Sequence, residues 1–324
     1  MAAVVKMKPE QDPEVRKGKY TGGNVAGCIG SSRWSHPNKE FDIFLGKRER
    51  DNLSENPYVK AGIWAEEQVG RRFAKEMNLG IRFVNRTYVS KEWNLCTGHI
   101  DAKITGQNVG LEIKTASEFK KKEYSEHLSK TPVIPIEYRC QINHYLYITG
   151  WDYFWLAVLI GGNDFRVFKI ERDEDAIAEQ VRKLKAFHSN YIVPELSPPA
   201  RTPEEALYVF PSADPDEKSI DATPEFLELH SEANLLAQEM KTKKARMEEI
   251  ETDMQNMMEG ATFVNSPESK ERLVQWKNGS RSRLNQKALR KDMPELWHNE
   301  KYVAVSTFRT FKILEGETNG NRDK

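Results

Sequence analysis

The 324-residue chain carries 49 lysines and arginines against 49 aspartates and glutamates, so it has no global excess of positive charge, and any nucleic-acid surface must be a local patch. Its three cysteines are far apart and lack C-x-x-C spacing, which argues against a zinc site or an iron–sulfur cluster. The chain begins without an apolar stretch of signal-peptide length, and residues 154–160 are too few to span a bilayer, so we expect a soluble, cytoplasmic protein with no membrane partner.

Hydrophobic periodicity in the first part of the chain predicts a mixed α/β core. In chain order the expected elements are a helix at about 57–78, strands near 81–90, 98–104 and 109–115, a helix from about 135 to 149, strands at 154–160 and 165–170, and a helix starting after Asp173. We therefore expect an α/β (α+β) fold whose small central mixed sheet is flanked by helices.

The second and third predicted strands form a hairpin that brings two carboxylates together. If Gly106 and Gln107 are the central residues of a two-residue II′ turn, counting outward places Asp101 directly opposite Glu112. Lys114 projects from the same face as Glu112, because it lies two residues further along the strand. Facing carboxylates destabilise a ladder and call for a compensating cation. Either Lys114 supplies it through an ion pair, or the oxygen atoms bind a hard divalent ion.

The chemistry of this hairpin suits phosphate. Asp101, Glu112 and the carbonyl of Ile113 offer oxygen ligands, which favour Mg²⁺ or Mn²⁺ over zinc. Such an ion activates a water molecule and neutralises charge on phosphoryl oxygens, while Lys114 can orient that water. The parts therefore indicate hydrolysis of a phosphodiester.

Two polar residues on the neighbouring predicted helices indicate the same chemistry. Glu66 lies on the helix before the sheet, and Gln141 lies one turn after Tyr138 on the helix that follows it. Each also has a purely structural explanation, since Glu66 could be solvent-exposed beside Glu67 and Gln141 could satisfy a backbone group.

A polar stretch divides the chain. It contains seven of the fifteen prolines, at positions 194, 198, 199, 203, 211, 215 and 224. We predict a core domain at 1–192, a proline-rich linker at 193–224 and a C-terminal extension at 225–324 with a long helix, a basic segment and terminal strands.

The long helix of the extension is capped by Thr223, has Pro224 at its first position and is followed by Gly260. Its apolar stripe, broken only by Lys243, must be covered by its own domain or a neighbouring subunit, or else it forms a Met-rich, adaptable binding face. The stripe residues, at three-and-four spacing, are Phe226, Leu229, Ala233, Leu236, Met240, Met247, Ile250, Met254 and Met257.

A basic cluster follows that helix and encloses Trp276. Basic residues interleaved with an aromatic suit a phosphate backbone, although a solvated charged face explains them nearly as well. The cluster consists of Lys270, Arg272, Lys277, Arg281, Arg283, Lys287, Arg290 and Lys291.

The order of motifs along the chain resembles a known family, the YqaJ-type viral recombinase nucleases, which contain lambda exonuclease and share the restriction-endonuclease-like fold with its D…(D/E)-x-K core. The resemblance covers roughly residues 16–192, and the ordered set is more specific than any one motif. The motifs are Gly62-x-x-x-Glu66, Gly98-His-Ile-Asp101, Leu111-Glu112-Ile-Lys114-Thr, Tyr138-x-x-Gln141, and an apolar strand ending Gly161-Gly, followed by Arg172-Asp173.

This resemblance implies a processive 5′-to-3′ exonuclease on linear double-stranded DNA in a phage, prophage or bacterial-type host cell. It further implies that the enzyme requires Mg²⁺ and binds two of these ions. The resemblance also implies that it acts in recombination together with a single-strand annealing protein. By the family pattern, Asp101, Glu112 and the Ile113 carbonyl hold metal, Glu66 reaches a second metal, Lys114 is the catalytic lysine, and Gln141 lies beside the reacting phosphate.

The resemblance extends to DNA contacts and assembly. Arg16-Lys-Gly-Lys-Tyr-Thr21-Gly-Gly23 is similar to the family's R-x-G-x-x-T-x-S segment, whose arginine grips the terminal 5′-phosphate, and Gly23 replaces the serine. Lys120 corresponds to a basic residue eight positions after the metal-binding glutamate. The family also implies a homo-oligomeric ring around DNA, commonly a trimer, although the shortest members lack the C-terminal third.

Other functions fit part of the same pattern. An endonuclease or a RecB-type repair nuclease could use the same carboxylates and lysine, but the scattered cysteines argue against the iron–sulfur variety. A catalytically silent scaffold that binds DNA ends is the remaining alternative. Such a scaffold has no need for an acidic cluster facing a polyanion.

Overall fold

The computed structural model describes residues 17–84, 86–213, 219–299, 301–304 and 309–314. They divide into two compact units, 1–209 and 210–324. The division falls inside the stretch predicted as a linker. Part of that stretch is helical and belongs to the first unit, where the Tyr208 hydroxyl donates to Asp42 Oδ2 at 2.7 Å.

A five-stranded mixed sheet forms the centre of the first unit. The spatial order of its strands is β1-β4-β5-β6-β7; β5 and β6 are parallel, and the other neighbours are antiparallel. A separate antiparallel ribbon consists of β2 and β3. The strands are β1 Ile81–Phe83, β2 Thr87–Val89, β3 Thr97–His99, β4 Ala102–Ile104, β5 Gly110–Ala116, β6 Tyr153–Ile160 and β7 Asp164–Glu171.

Helices flank both faces of this sheet, which confirms the predicted fold class. Val69 and Phe73 of α3 pack with Leu111 and Ile113 on one face. Ile142, Leu146 and their neighbours on α4 pack on the other face. The helices of the first unit are α1 Val25–Cys28, α2 Pro37–Phe44, α3 Pro57–Met77, α4 Ile136–Thr149, α5 Glu174–Phe187 and α6 Pro203–Val209, together with a 3₁₀ helix at Glu118–Glu123 and a π-helical turn at His188–Ile192.

Local sequence signals explain the limits of the long helix α3. Pro57 occupies its first turn, and the Asn56 side chain accepts a hydrogen bond from the Tyr58 N–H at 2.9 Å. At the other end Asn78 adopts a left-handed conformation with φ of 51°, which closes the helix.

Two predicted strands are wrong as single elements. The strand expected at 81–90 is split into β1 and β2, and the strand expected at 98–104 is split into β3 and β4. In each case the chain leaves one sheet and enters the other. The break between β3 and β4 falls at Ile100 and Asp101. The Asp101 carbonyl accepts a hydrogen bond at 3.0 Å from the N–H of Val84, the residue that follows β1. Periodicity within one segment cannot reveal such a change of sheet.

The turn between β4 and β5 also differs from the prediction. Its hydrogen bond runs from the Gln107 N–H to the Ile104 carbonyl at 3.2 Å, so Thr105 and Gly106 are the central residues. Gly106 has φ of +75°, a conformation that favours glycine. The Thr105 N–H donates to the Gly80 carbonyl at 2.8 Å, which draws the turn away from the two-residue geometry.

A buried histidine ties α4 to the chain preceding α1. The Nε2–H of His144 donates to the carbonyls of Tyr20 and Thr97, at 3.1 and 3.0 Å. Burial lowers the pKa of His144 to about 4, although these two hydrogen bonds raise it in part. His144 is therefore neutral in the folded protein at pH 7.

This histidine predicts a loss of stability in acid. The unfolded chain takes up a proton near pH 6.5, whereas the folded chain resists it until about pH 4, so stability falls as pH decreases through that window. We expect the free energy of unfolding to fall by about 2 kcal/mol more in the wild type than in His144→Gln between pH 7.5 and pH 5. Urea unfolding at both pH values measures it. Equal losses in the two proteins would contradict the assignment.

The second unit contains the predicted long helix, α7, at Pro224–Met258. The Thr223 side chain caps it by accepting from the Phe226 N–H at 3.2 Å. The expectation that its own domain covers the apolar stripe is wrong, because most of the stripe is exposed to solvent. The other elements are β8 Phe263–Asn265, β9 Arg272–Gln275, α8 Gln286–Asp292 and α9 Pro294–Trp297.

The strands of this unit are not at the end of the chain. β8 and β9 form a hairpin, closed by a hydrogen bond from the Ser266 N–H to the Glu271 carbonyl at 2.8 Å. Residues 309–314 have no regular structure. Among the helices that the structure describes, none combines the length and apolar character needed to cross a membrane.

Candidate active site

The strand register next to the two carboxylates follows the predicted count. β4 and β5 pair Ala102 with Leu111 and Lys103 with Gly110. One further step in the same register sets Asp101 opposite Glu112. The ladder ends at this step because the chain changes sheet at Asp101, so the edge of β5 opens where the two acids lie.

The open edge also exposes main-chain groups of β5. Asp101 Oδ2 accepts a hydrogen bond from the Ile113 N–H at 2.8 Å, where a strand partner would otherwise bond. In an extended strand the N–H and C=O of one residue point to the same side. The Ile113 carbonyl is therefore directed to the side of β5 on which Asp101 lies, as its predicted role requires.

Both acids are buried, and a lysine compensates their charge. Asp101 is 9% exposed and Glu112 is 1% exposed. The Lys114 ammonium forms an ion pair with Glu112 Oε1. Burial lowers the pKa of Lys114, but the charges of Glu112 and Asp101 outweigh that effect and hold the pKa above its usual value. Lys114 therefore carries a positive charge at pH 7 beside the acid pair.

Gln141 orients Glu112 from α4. Its Nε2 donates to Glu112 Oε1 at 2.7 Å and to the Tyr145 hydroxyl at 2.9 Å. Sequence analysis identified Gln141 but missed Tyr145, which lies one turn later on the same face of α4. The i, i+4 spacing of Gln141 and Tyr145 is the sequence signal that could have identified Tyr145.

Tyr145 in turn contacts the segment that contains Thr21. A Cβ placed on Gly22 would lie 2.8 Å from Tyr145 ring atoms and from its hydroxyl oxygen. Thr21 is buried, and its N–H donates to Asn24 Oδ1 at 2.7 Å. The segment with the predicted DNA-end contacts thus lies one side chain away from the pair formed by Gln141 and Glu112. Arg16 lies outside the described residues.

An aromatic surface adjoins the lysine. The Lys114 ammonium lies 5.3 Å from the centre of the Tyr138 ring, which is 5.7 Å from the ring of Trp34. Trp34 is 58% exposed. Sequence analysis did not single out Trp34, and no local pattern could connect it with a residue about a hundred positions away.

Lys120 lies on the surface just after β5. It belongs to the 3₁₀ helix and pairs with Glu123 at 2.8 Å. Arg33 also binds Glu123, at 2.6 Å, and thereby lowers the pKa of that carboxyl to about 2. The Lys120 side chain is half exposed to solvent, and it lies just past the carboxyl end of the strand that bears Glu112 and Lys114.

Glu66 is half-buried on α3, between two glycines that approach β5. A Cβ on Gly62 would lie 3.3 Å from Thr115 Oγ1, and one on Gly70 would lie 3.1 Å from Ile113 Cδ1. Since these positions repeat every four residues, Glu66 shares the helix face that meets the strand. It does not join Asp101 and Glu112 in a close cluster, because no group of three or more His, Cys, Asp and Glu able to hold a metal occurs among the described residues.

The donor set at the edge of β5 fits a hard divalent cation. It combines two buried carboxylates with a main-chain carbonyl, all oxygen donors of the kind that Mg²⁺ and Mn²⁺ prefer. Asp101 and Glu112 would supply the carboxylates, and Ile113 the carbonyl. The soft ligands of a zinc site are absent here, since Cys28, Cys96 and Cys140 are all buried elsewhere in the core.

Residues 13–152 match the model of the YqaJ-like viral recombinase domain. They form a YqaJ-like domain. The YqaJ-like stretch contains every residue of the predicted site, from Arg16 to Gln141. The family assignment made from motif order alone is thereby confirmed.

One curated relative is similar along nearly the whole chain. "Uncharacterized protein YqaJ" of Bacillus subtilis (strain 168) is 27% identical over 311 residues, which cover 93% of each chain. The alignment therefore includes the second unit as well as the YqaJ-like domain.

Solved structures show a more distant similarity. An alkaline exonuclease from Laribacter hongkongensis is 16% identical, with 57% of this chain and 93% of that chain covered and a TM-score of 0.44. A phage-related exonuclease from Haemophilus somnus 129PT is 14% identical, with 55% and 96% covered and a TM-score of 0.38.

Proposed function

We propose that this protein is a metal-dependent exonuclease that hydrolyses linear double-stranded DNA from 5′ to 3′, releases 5′-mononucleotides and leaves a 3′ overhang for phage-type recombination. The observation that carries the proposal is the buried acid pair with Lys114 at the open edge of β5. Burying two carboxylates is costly unless a cation is bound there. One lysine balances one of the two negative charges.

The cofactor in this proposal is Mg²⁺, with Mn²⁺ as a substitute. Asp101, Glu112 and the Ile113 carbonyl would hold one ion, and Glu66 would reach a second. A bound ion would lower the pKa of water and offset negative charge on the phosphoryl oxygens. The face of α3 that meets β5 supports the role of Glu66, although Glu66 is not part of a three-residue cluster.

The chain's own groups hold the reacting phosphate and orient the acids. The Ile113 N–H fixes Asp101, and Gln141 fixes Glu112, so each carboxylate has one oxygen anchored by a neutral donor. The Lys114 ammonium can donate to a phosphoryl oxygen, because the neighbouring carboxylates hold its pKa above the usual value. Tyr145 accepts from Gln141 and thereby limits the rotation of the amide.

Contacts with the DNA end come from the segment before α1 and from the exposed basic residues. Arg16 would bind the terminal 5′-phosphate, with Thr21 and Lys120 as further DNA contacts. The packing of Gly22 on Tyr145 supports a position of this segment next to the acids. A homo-oligomeric ring, a trimer by family resemblance, and a single-strand annealing protein complete the proposal as partners.

Labelled linear duplex tests the reaction and its direction. Duplex labelled at the 5′ end or at the 3′ end is incubated with and without Mg²⁺, and a covalently closed circle serves as the control for end dependence. We expect early release of the 5′ label as mononucleotide, no release with EDTA, and an intact circle. A cut circle would favour an endonuclease, and tight binding of ends without any cleavage would favour a silent scaffold.

The terminal phosphate provides a separate test of Arg16. A 5′-phosphorylated end should be degraded at least about ten times faster than a 5′-hydroxyl end, because a guanidinium binds a dianionic phosphate through charge-assisted hydrogen bonds. Arg16→Ala should remove this preference, whereas Lys17→Ala, a matched loss of one neighbouring cation, should retain it. An unchanged preference in Arg16→Ala would eliminate the role.

A further inference from the structure

The 35-residue helix α7 exposes an apolar face along its length. Leu236 is 52% exposed, Met240 is 72% exposed and Met247 is 56% exposed. An isolated helix gains little stability from propensity alone and depends on the packing of its apolar face. At 1.5 Å per residue α7 is about 52 Å long, which gives this face the length of a substantial interface.

The apolar positions repeat every seven residues rather than following the 3.6-residue period of a helix on a globular core. Five successive heptads place Phe226, Ala233, Met240, Met247 and Met254 at position a. A strict seven-residue repeat over this length is typical of a left-handed coiled coil. The d positions are Leu229, Leu236, Lys243, Ile250 and Met257.

The a and d positions together form an apolar seam along α7. The charges beside this seam complement those of an identical helix. In a parallel, in-register pair, each g residue faces the e residue five positions later on the other copy. Glu239 then faces Lys244, and Arg246 faces Glu251. By symmetry these contacts occur twice, and no g residue meets an e residue of like charge. At position d, Lys243 lies opposite Lys243 of the other copy.

A slip of one heptad loses this complementarity. It brings Glu239 against Glu251 and Arg246 against Lys244. Both contacts join like charges, which a coiled coil disfavours. The charge pattern therefore favours the in-register pair over a pair shifted by one heptad.

Lys243 is compatible with such a seam. Its ammonium lies 3.7 Å from Glu239 Oε2 of the same helix, so the charge can leave the core while its methylene groups remain there. A single polar residue in a seam fixes register at some cost in stability.

We propose that α7 binds α7 of a second copy of this chain as a parallel, in-register coiled coil. The seam consists of the ten a and d residues, and the two pairs formed by Glu239 with Lys244 and by Arg246 with Glu251 flank it. This contact is independent of catalysis. It joins subunits through the second unit, whatever activity the first unit has.

Sedimentation equilibrium of the full chain tests the contact. The double variant Met240→Glu, Met247→Glu places charges in the seam, and the double variant Leu227→Glu, Leu235→Glu removes two equally exposed apolar residues outside it. We expect assemblies of two or more copies for the wild type and the control, and a dissociation constant at least about a hundredfold weaker for the seam variant. A monomeric wild type, or equal effects of both variants, would overturn the proposal.

Charge exchange keeps the test valid if the seam variant fails to fold. Arg246→Glu should weaken association because it places two glutamates together, and Arg246→Glu combined with Glu251→Arg should restore it. A double variant as weak as the single one would contradict the parallel register.

Disulfide trapping reports the orientation directly. The three native cysteines are buried, so an introduced thiol dominates the reaction. Leu236→Cys lies at position d and faces its own copy in a parallel pair, whereas Leu235→Cys does not. We expect mild oxidation to link Leu236→Cys chains in pairs and to leave Leu235→Cys chains mostly unlinked. The opposite result, or equal linkage, would exclude the arrangement.

Discussion

Replacement of Asp101 by Asn should reduce the release of nucleotides from linear duplex DNA by at least about a hundredfold to a thousandfold. The amide oxygen can still accept the hydrogen bond from the Ile113 N–H, so the fold is expected to persist. What disappears is a negative charge at the edge of β5, and with it a ligand for the divalent ion. Initial rates at saturating Mg²⁺ measure the effect, and thermal unfolding checks the fold.

A matched control for this experiment lies on α3. Glu67→Gln also removes one carboxylate, but Glu67 is exposed and pairs with Arg71 at 2.6 Å. We expect it to retain nearly full activity. Asp101→Asn with more than about a tenth of the wild-type rate would disprove the assignment of the acid pair as the metal site.

Introduction of a methyl group at Gly22 should reduce activity about ten- to a hundredfold and also reduce stability. An added Cβ would lie 2.8 Å from Tyr145, which must shift and take the Gln141 amide with it. Glu112 would then lose its fixed orientation. Small displacements of catalytic groups cause large losses of reaction rate. The crowding should cost about 1–3 kcal/mol of folding stability. Cleavage rates and urea unfolding of Gly22→Ala measure the two effects.

The adjacent glycine provides the control. A Cβ on Gly23 would lie 3.9 Å from Thr21 Oγ1, an ordinary contact, so Gly23→Ala should cleave DNA at nearly the wild-type rate. If both variants lost activity equally, the effect would come from the backbone of the segment rather than from pressure on Tyr145.

Features that depend on local spacing were predictable from the sequence. The register that sets Asp101 opposite Glu112 follows from the number of residues in one hairpin, and it survived a wrong turn type because the total count was right. The limits of α3, α4 and α7 followed from caps and periodicity in the same way.

Features that depend on distant contacts were not predictable. The packing of Gly22 on Tyr145 joins residues more than a hundred positions apart. The change of sheet at Asp101 occurs because β3 pairs with β2 outside the central sheet, whereas β4 pairs within it. The partner of α7 could not be predicted for a different reason. A periodic stripe shows that a helix has an apolar face, but the identity of its partner is not a property of the helix alone.

The change of sheet at Asp101 has a consequence for how the protein acquires activity. The acid reaches its position only after β3 has joined one ribbon and β4 has joined the central sheet. That sheet also requires β5 to pair with β6, which matches Gly110 with the distant Phe154. Non-local pairings of this kind form late. During refolding, nuclease activity should therefore appear later than helical structure. An incompletely folded chain would then leave the surrounding DNA intact.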